Sequence, residues 1–175
     1  MDSSEFLRFV SSRSSVRTYL EEPVKESSLE FLVRCASTAP SAGNREAWDV
    51  VAVTDPTIRQ DLSQAALHQS HVARAPLVLV VCANDPRSRE RYGERASLYA
   101  VQDATIACTY LMLSAHMLGL SSCWTGAFDE EVVIQILDLP KGVRPIAMLT
   151  IGKGTPSPLR TGRIAPSYHL HHEHW

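Results

Sequence analysis

Residues 98–120 read LYAVQDATIACTYLMLSAHMLGL, a long stretch in which apolar side chains dominate at nearly every angle of a helical turn. Its length raises the question of a membrane span. Gln102, Asp103 and His116 interrupt it, and it lacks the run of about 18 unbroken apolar residues that a bilayer demands. The stretch is therefore read as a buried helix. A helix that is apolar on almost all sides needs cover on almost all sides. In a chain of 175 residues the nearest source of that cover is a second copy of the chain, so a homodimer is expected.

The flanking sequence supplies the other layers. On the N-terminal side, DSSEFLRFVSS and EEPVKESSLEFLVRCASTAP each place apolar residues at helical spacing after serines that read as caps. WDVVAVTD is a β-branched run closed by Asp55-Pro56, which caps and starts a further helix. APLVLVVCANDP gives a wholly apolar strand followed by a second Asp-Pro start at Asp85-Pro86. After the long helix, SSCW reads as a short strand, DEEVVIQILDLP as a helix capped by Asp129, and RPIAMLTIG as another buried strand. Beyond Gly152 the pattern dissolves into an extended arm. The expectation is one domain over residues 1–175, with four or five strands wrapped by helices and an arm over residues 153–175 that lies on the partner.

Composition narrows the function. Apolar residues make up 45% and charged residues 21%, and the net charge of −2 offers no general attraction to nucleic acid or to an anionic membrane. No nucleic-acid or membrane partner is expected. Cys35, Cys82, Cys108 and Cys123 are widely spaced with no CxxC pair, as suits buried thiols of a reducing compartment. With no basic region and apolar run at the N-terminus, the reading is cytoplasmic. The terminal His169, His171, His172 and His174 lack a rigid scaffold, so no metal site is assigned to them. Phosphate-loop, GxGxxG, GxSxG and HExxH signatures are absent, which disfavours an ATPase and a Rossmann-type nicotinamide enzyme.

What remains is five short stretches: RSSVR at 13–17, APSAGNREAWDVV at 39–51, YGERASLYAVQDATIA at 92–107, GLSSCWTGAF at 119–128, and the arm with Arg163. In that order they resemble the FMN-dependent nitroreductase family in its short single-domain form. The resemblance implies an α+β fold: an α/β sandwich with a central, mostly antiparallel mixed sheet flanked by helices, in an intertwined homodimer. It also implies FMN as cofactor and NADH or NADPH as electron donor.

The resemblance assigns residues to the flavin. Arg13, Ser14, Ser15 and Arg17 match the first motif, with Arg13 on the phosphate and Arg17 nearer the ribityl or pyrimidine side. Forked guanidinium donors suit phosphate oxygens. Arg163 matches a further phosphate contact, with Arg160 as a weaker candidate. Pro40, Ser41, Ala42 and Asn44 match a second motif that reaches the flavin from the other subunit. The family usually follows this asparagine with Gln-Pro-Trp, where this chain has Glu46, Ala47 and Trp48. Backbone N–H groups around Thr125 and Gly126, with Trp124 close by, are implied to serve the ring's N5 and O4 atoms, although a tight turn would explain Gly126 as well. Gln69, with His68 and His71, is placed towards the pyrimidine edge, and Tyr92, Glu94, Tyr99 and Asp103 near the substrate mouth.

The implied activity is ping-pong transfer of hydride from NAD(P)H through flavin N5 to a nitroaromatic, a quinone or a similar small acceptor. No side-chain acid or base is required. Two alternatives stand beside it: another flavin reaction, such as dehydrogenation or reduction of an activated double bond, and a protein that binds FMN without turnover.

Overall fold

The computed structural model describes residues 2–156 and 161–175. Arg160 lies outside them. Helix α1 (Ser3–Ser12) begins at Asp2, whose carboxylate accepts from the Ser4 and Glu5 N–H groups while Glu5 accepts from the Asp2 N–H. The cap is thus the aspartate rather than a serine, because an ionised acceptor bonds more strongly and suits the positive end of the helix dipole. Helix α2 (Glu26–Ala36) starts at Lys25 with no side-chain cap. Strand β1 (Trp48–Val53) leads to α3 (Pro56–Ala65), capped by Asp55 as expected. A short helix α4 (Ser70–Arg74), too brief to show a period in the sequence, precedes strand β2 (Leu77–Asn84).

Helix α5 (Asp85–Tyr92) is capped by Asn84, one residue before the expected aspartate, and Asp85 instead pairs with Arg89 one turn later. Helix α6 (Ala96–Met117), strand β3 (Ser121–Thr125), helix α7 (Glu130–Ile136) and strand β4 (Val143–Gly152) complete the order. Asp129 caps α7 through the Val132 N–H.

The four strands form one sheet in the order β1-β2-β4-β3, with every neighbouring pair antiparallel. Outside β3, Ser15 forms an isolated parallel bridge to Ser122, and the Val16 N–H donates to the Ser122 carbonyl at 2.9 Å. It is a parallel contact beside an otherwise antiparallel sheet. Period-two alternation sorts the strand side chains into two layers. Leu77, Leu79, Val81, Ala147, Leu149 and Ile151 face α2 and α6, whereas Val78, Val80, Cys82 and Met148 face α3, α4 and α7.

Helix α6 buries Ala100, Ala104, Ala107, Cys108, Leu111 and Ala115, which recur at steps of three and four along one face. Its other side leaves Leu98, Tyr110 and Met117 exposed. Helix α1 buries none of its residues, and Phe6 and Leu7 are exposed. A single chain therefore covers the long helix on one side only. Among the described residues, no helix is long and apolar enough to cross a membrane.

Candidate active site

At Arg13 the chain leaves α1 with extended dihedrals and runs beside β3. That path gathers Arg13, Ser15 and Arg17 around Cys123. Burial raises the Cys123 thiol pKa, opposed by the positive charges of Arg17 and Arg13 and by hydrogen bonding to Ser15 and Thr125. Neither arginine forms an ion pair among the described residues, while five other cations of the chain do. Two uncompensated guanidinium groups beside two serine hydroxyls make a donor set suited to a dianionic phosphate.

The far end of β3 is tied to α4. His71, buried in the α3/α4 layer, lies 2.8 Å from the Thr125 hydroxyl through Nε2. Desolvation depresses its pKa, and the charge of Arg17 adds to that depression. Gln69 donates its side-chain N–H groups to the Ala66 carbonyl at 2.9 Å and the Ala127 carbonyl at 3.1 Å. Gln69 thereby staples the α3–α4 turn to the loop after β3, and only its amide oxygen is left for a ligand. At Gly126 φ is not positive, and an added Cβ would meet only Trp124, at an ordinary 3.4 Å from Nε1. The turn itself does not require glycine there, and Gly126 is exposed, so its backbone is accessible to a flat ligand beside the Trp124 ring.

The second motif is held by a different device. Asp103, 2% exposed on α6, accepts from the Ala42 N–H at 2.8 Å and from the Ala47 N–H at 3.2 Å. Ser41 Oγ accepts from the Glu46 N–H, and Arg87 donates to the carbonyls of Glu46 and Trp48. Gly43, Asn44 and Glu46 all have left-handed dihedrals. This loop is fixed at both ends, and Pro40 and Asn44 are exposed on it while Ser41 and Ala42 are half-buried. Asp103 is thus more than a plain polar helix residue: it clasps the loop. Ala47 matters to that clasp, because a proline in its place would have no N–H to donate.

The structure brings Arg13, Ser15, Arg17, Gln69, His71 and Thr125 together at the β3 edge. It does not bring Pro40, Ser41, Ala42 and Asn44 to them within one chain. These four precede β1, at the opposite edge of the sheet, three strand spacings or roughly 14 Å away. Arg163 donates only to Thr161 and Gly162 among the described residues, and residues 161–175 are exposed throughout. His68 is exposed in a left-handed turn, and Tyr92 and Tyr99 pack edge to face at the α5–α6 corner. His171 stacks on Trp175.

A family model described as "Nitroreductase family" matches residues 10–72 and 64–153, nearly the whole span from the first arginine motif to the end of β4. The chain belongs to the nitroreductase family. An NADH dehydrogenase of Thermus thermophilus is 30% identical over 168 residues, covering 80% of this chain and 82% of that protein. An FMN reductase [NAD(P)H] of Bacillus subtilis is 28% identical, over 85% of this chain and 66% of its own length. Among solved structures, NfrA2 of B. megaterium superposes with a TM-score of 0.92 at 26% identity, covering all of this chain and 76% of the other. The fold is that of a nitroreductase. Within that fold, the His71–Thr125 link and the Asp103 clasp join residues 54 to 61 positions apart, and no local sequence signal marks either pairing.

Proposed function

We propose that this nitroreductase-family protein is an NAD(P)H-dependent FMN oxidoreductase that works as a homodimer. The observation that carries the reading is that Arg13 and Arg17, beside Ser14 and Ser15 at the β3 edge, form no ion pair among the described residues and lie near the exposed backbone of Gly126. Arg13, Ser14 and Ser15 would hold the phosphate of FMN. Arg17 would hold the ribityl or pyrimidine side, where a cation favours negative charge on that edge of the ring. The backbone N–H groups at Thr125 and Gly126, with Trp124 beside them, would orient the ring. His71 and Gln69 keep that segment in place through Thr125 and Ala127. Arg163 of the arm would add a further cation for the phosphate.

Bound FMN would take hydride at N5 from NADH or NADPH and pass it to a nitroaromatic, quinone or similar small acceptor that enters after the spent nicotinamide leaves. The residues of the chain bind, orient and set the field; none is asked to move a proton.

The dimer follows from two features. The second motif, Pro40, Ser41, Ala42 and Asn44, stands at the opposite sheet edge and meets the β3 edge only if it comes from another copy. The exposed Leu98, Tyr110 and Met117 of α6, with Phe6 and Leu7 of α1, are the apolar surface that such a copy would cover.

The test is the absorption spectrum of the purified protein, the identity of any nucleotide released on denaturation, and anaerobic mixing with NADH and NADPH. A yellow protein that releases FMN and bleaches with either donor supports the reading. A colourless protein that FMN cannot reconstitute would refute it.

A further inference from the structure

The corner where α5 meets α6 carries a cluster that the flavin site leaves unused. The Arg91 guanidinium lies 5.7 Å from the Tyr92 ring centroid and that of Arg95 lies 5.1 Å from Tyr99. The two rings meet edge to face at 4.7 Å. Tyr99 stands one helical turn after Arg95 and one turn before Asp103, so helical spacing sets all three along one side of the chain's path. Three neighbouring arginines are committed to carboxylates: Arg45 to Glu90, Arg87 to Asp49 and Arg89 to Asp85. Arg91 and Arg95 are exposed and pair with no carboxylate among the described residues, and Glu94 between them forms no ion pair either.

The corner also touches the loop assigned to the cofactor. A Cβ placed on Gly43 would collide with the Tyr92 hydroxyl and come within 3.1 Å of Arg91 Cζ and Nε. The Asp103 clasp holds that loop from the same helix. Arg91 therefore stands beside Gly43, between Ala42 and Asn44, at the rim of the same proposed site, and Arg95 adjoins it through the packed Tyr92 and Tyr99 rings.

We propose that Arg91 and Arg95, braced on Tyr92 and Tyr99, form a cationic rim that selects substrates carrying a carboxylate or phosphate beside a flat body. This rests on the function proposed above, and it names the substrate class of that site. A guanidinium seated on an aromatic face is held in orientation and partly stripped of water, while its outer N–H groups stay free for an oxyanion. Rim charges act at the approach and binding of substrate, so they govern KM and weaken as salt rises; kcat stays with the flavin.

The test compares the FMN-loaded protein with its Arg91→Gln/Arg95→Gln variant on two matched pairs. NADPH against NADH probes a phosphate, and para-nitrobenzoate against its methyl ester probes a carboxylate. The native protein is expected to favour the anionic member of at least one pair by about 5- to 10-fold in kcat/KM at low salt. The double variant and high salt should each bring that ratio near one, with FMN content and kcat on neutral substrates unchanged. Whichever pair responds identifies the anion. Direct titration calorimetry with NADPH and para-nitrobenzoate supplies a readout without turnover. Equal ratios and equal calorimetric affinities in the native and variant proteins would overturn the rim. Loss of flavin binding in the native protein would instead strike the function above, and the calorimetric comparison would still decide the rim.

Discussion

Replacing Asp103 by alanine tests the most consequential contact of the fold. Its carboxylate is 2% exposed and is shared between two backbone donors 61 and 56 residues away, Ala42 at 2.8 Å and Ala47 at 3.2 Å. Hydrogen bonds to a charged acceptor contribute about 1.5–3 kcal/mol each, and the longer one falls at the lower end. Truncation also strands the Ala47 N–H, which lies in the core. Water can reach the half-buried Ala42 more easily and restores part of that loss. The sum is a destabilisation of about 3–5 kcal/mol, a large share of the roughly 5–15 kcal/mol that stabilises an ordinary domain. Asp103→Asn keeps one acceptor and turns the amide N–H groups towards the second donor, so it should recover little. Urea denaturation followed by circular dichroism measures both variants, and amide hydrogen exchange at Ala42 and Ala47 localises the effect. A shift below about 1 kcal/mol for the alanine variant would show that the clasp does not hold the loop.

Two further outcomes follow from the β3 edge. His71 has a folded pKa below its ordinary 6.5, first through desolvation and then through Arg17. The unfolded chain thus takes up the proton first: stability should be level above the unfolded value and fall as pH drops below it towards the depressed folded value. Urea midpoints across that window measure the slope, and His71→Gln should flatten it; an unchanged slope would contradict the assignment. Gly126→Ala should leave apoprotein stability within about 0.5 kcal/mol, because the turn has no need of glycine, yet lower FMN retention. Equal FMN affinity by fluorescence titration would mean that no ligand approaches that backbone.

Local rules were legible in the chain alone. The Asp55-Pro56 start, the Asp129 cap, the apolar run of β2 and the wide apolar surface of α6 each depend on neighbours within a few residues, and each appears where the sequence placed it. Where two capping residues stood side by side, the choice between them was not local. Asn84 took the cap of α5 and Asp85 the ion pair with Arg89. The ordered stretches from RSSVR to the arm with Arg163 pointed to the family, since five segments in register are rarely matched by chance.

Partnership is what only the tertiary structure decided. The sequence shows Gln69 and Asp103 as polar residues in promising stretches. It does not show that Gln69 has committed its N–H groups to Ala66 and Ala127, or that Asp103 is bound to Ala42 and Ala47. Nor does it show that, among the described residues, Arg13, Arg17, Arg91 and Arg95 are left without carboxylates while Arg45, Arg87 and Arg89 are not. Helix and strand signals arise from contacts a few residues apart, whereas a donor's partner is set by which distant segment the folded sheet carries past it. The sheet order β1-β2-β4-β3 is the same kind of fact: it puts the first motif and the loop over residues 40–44 on opposite edges, and no one-dimensional pattern records it.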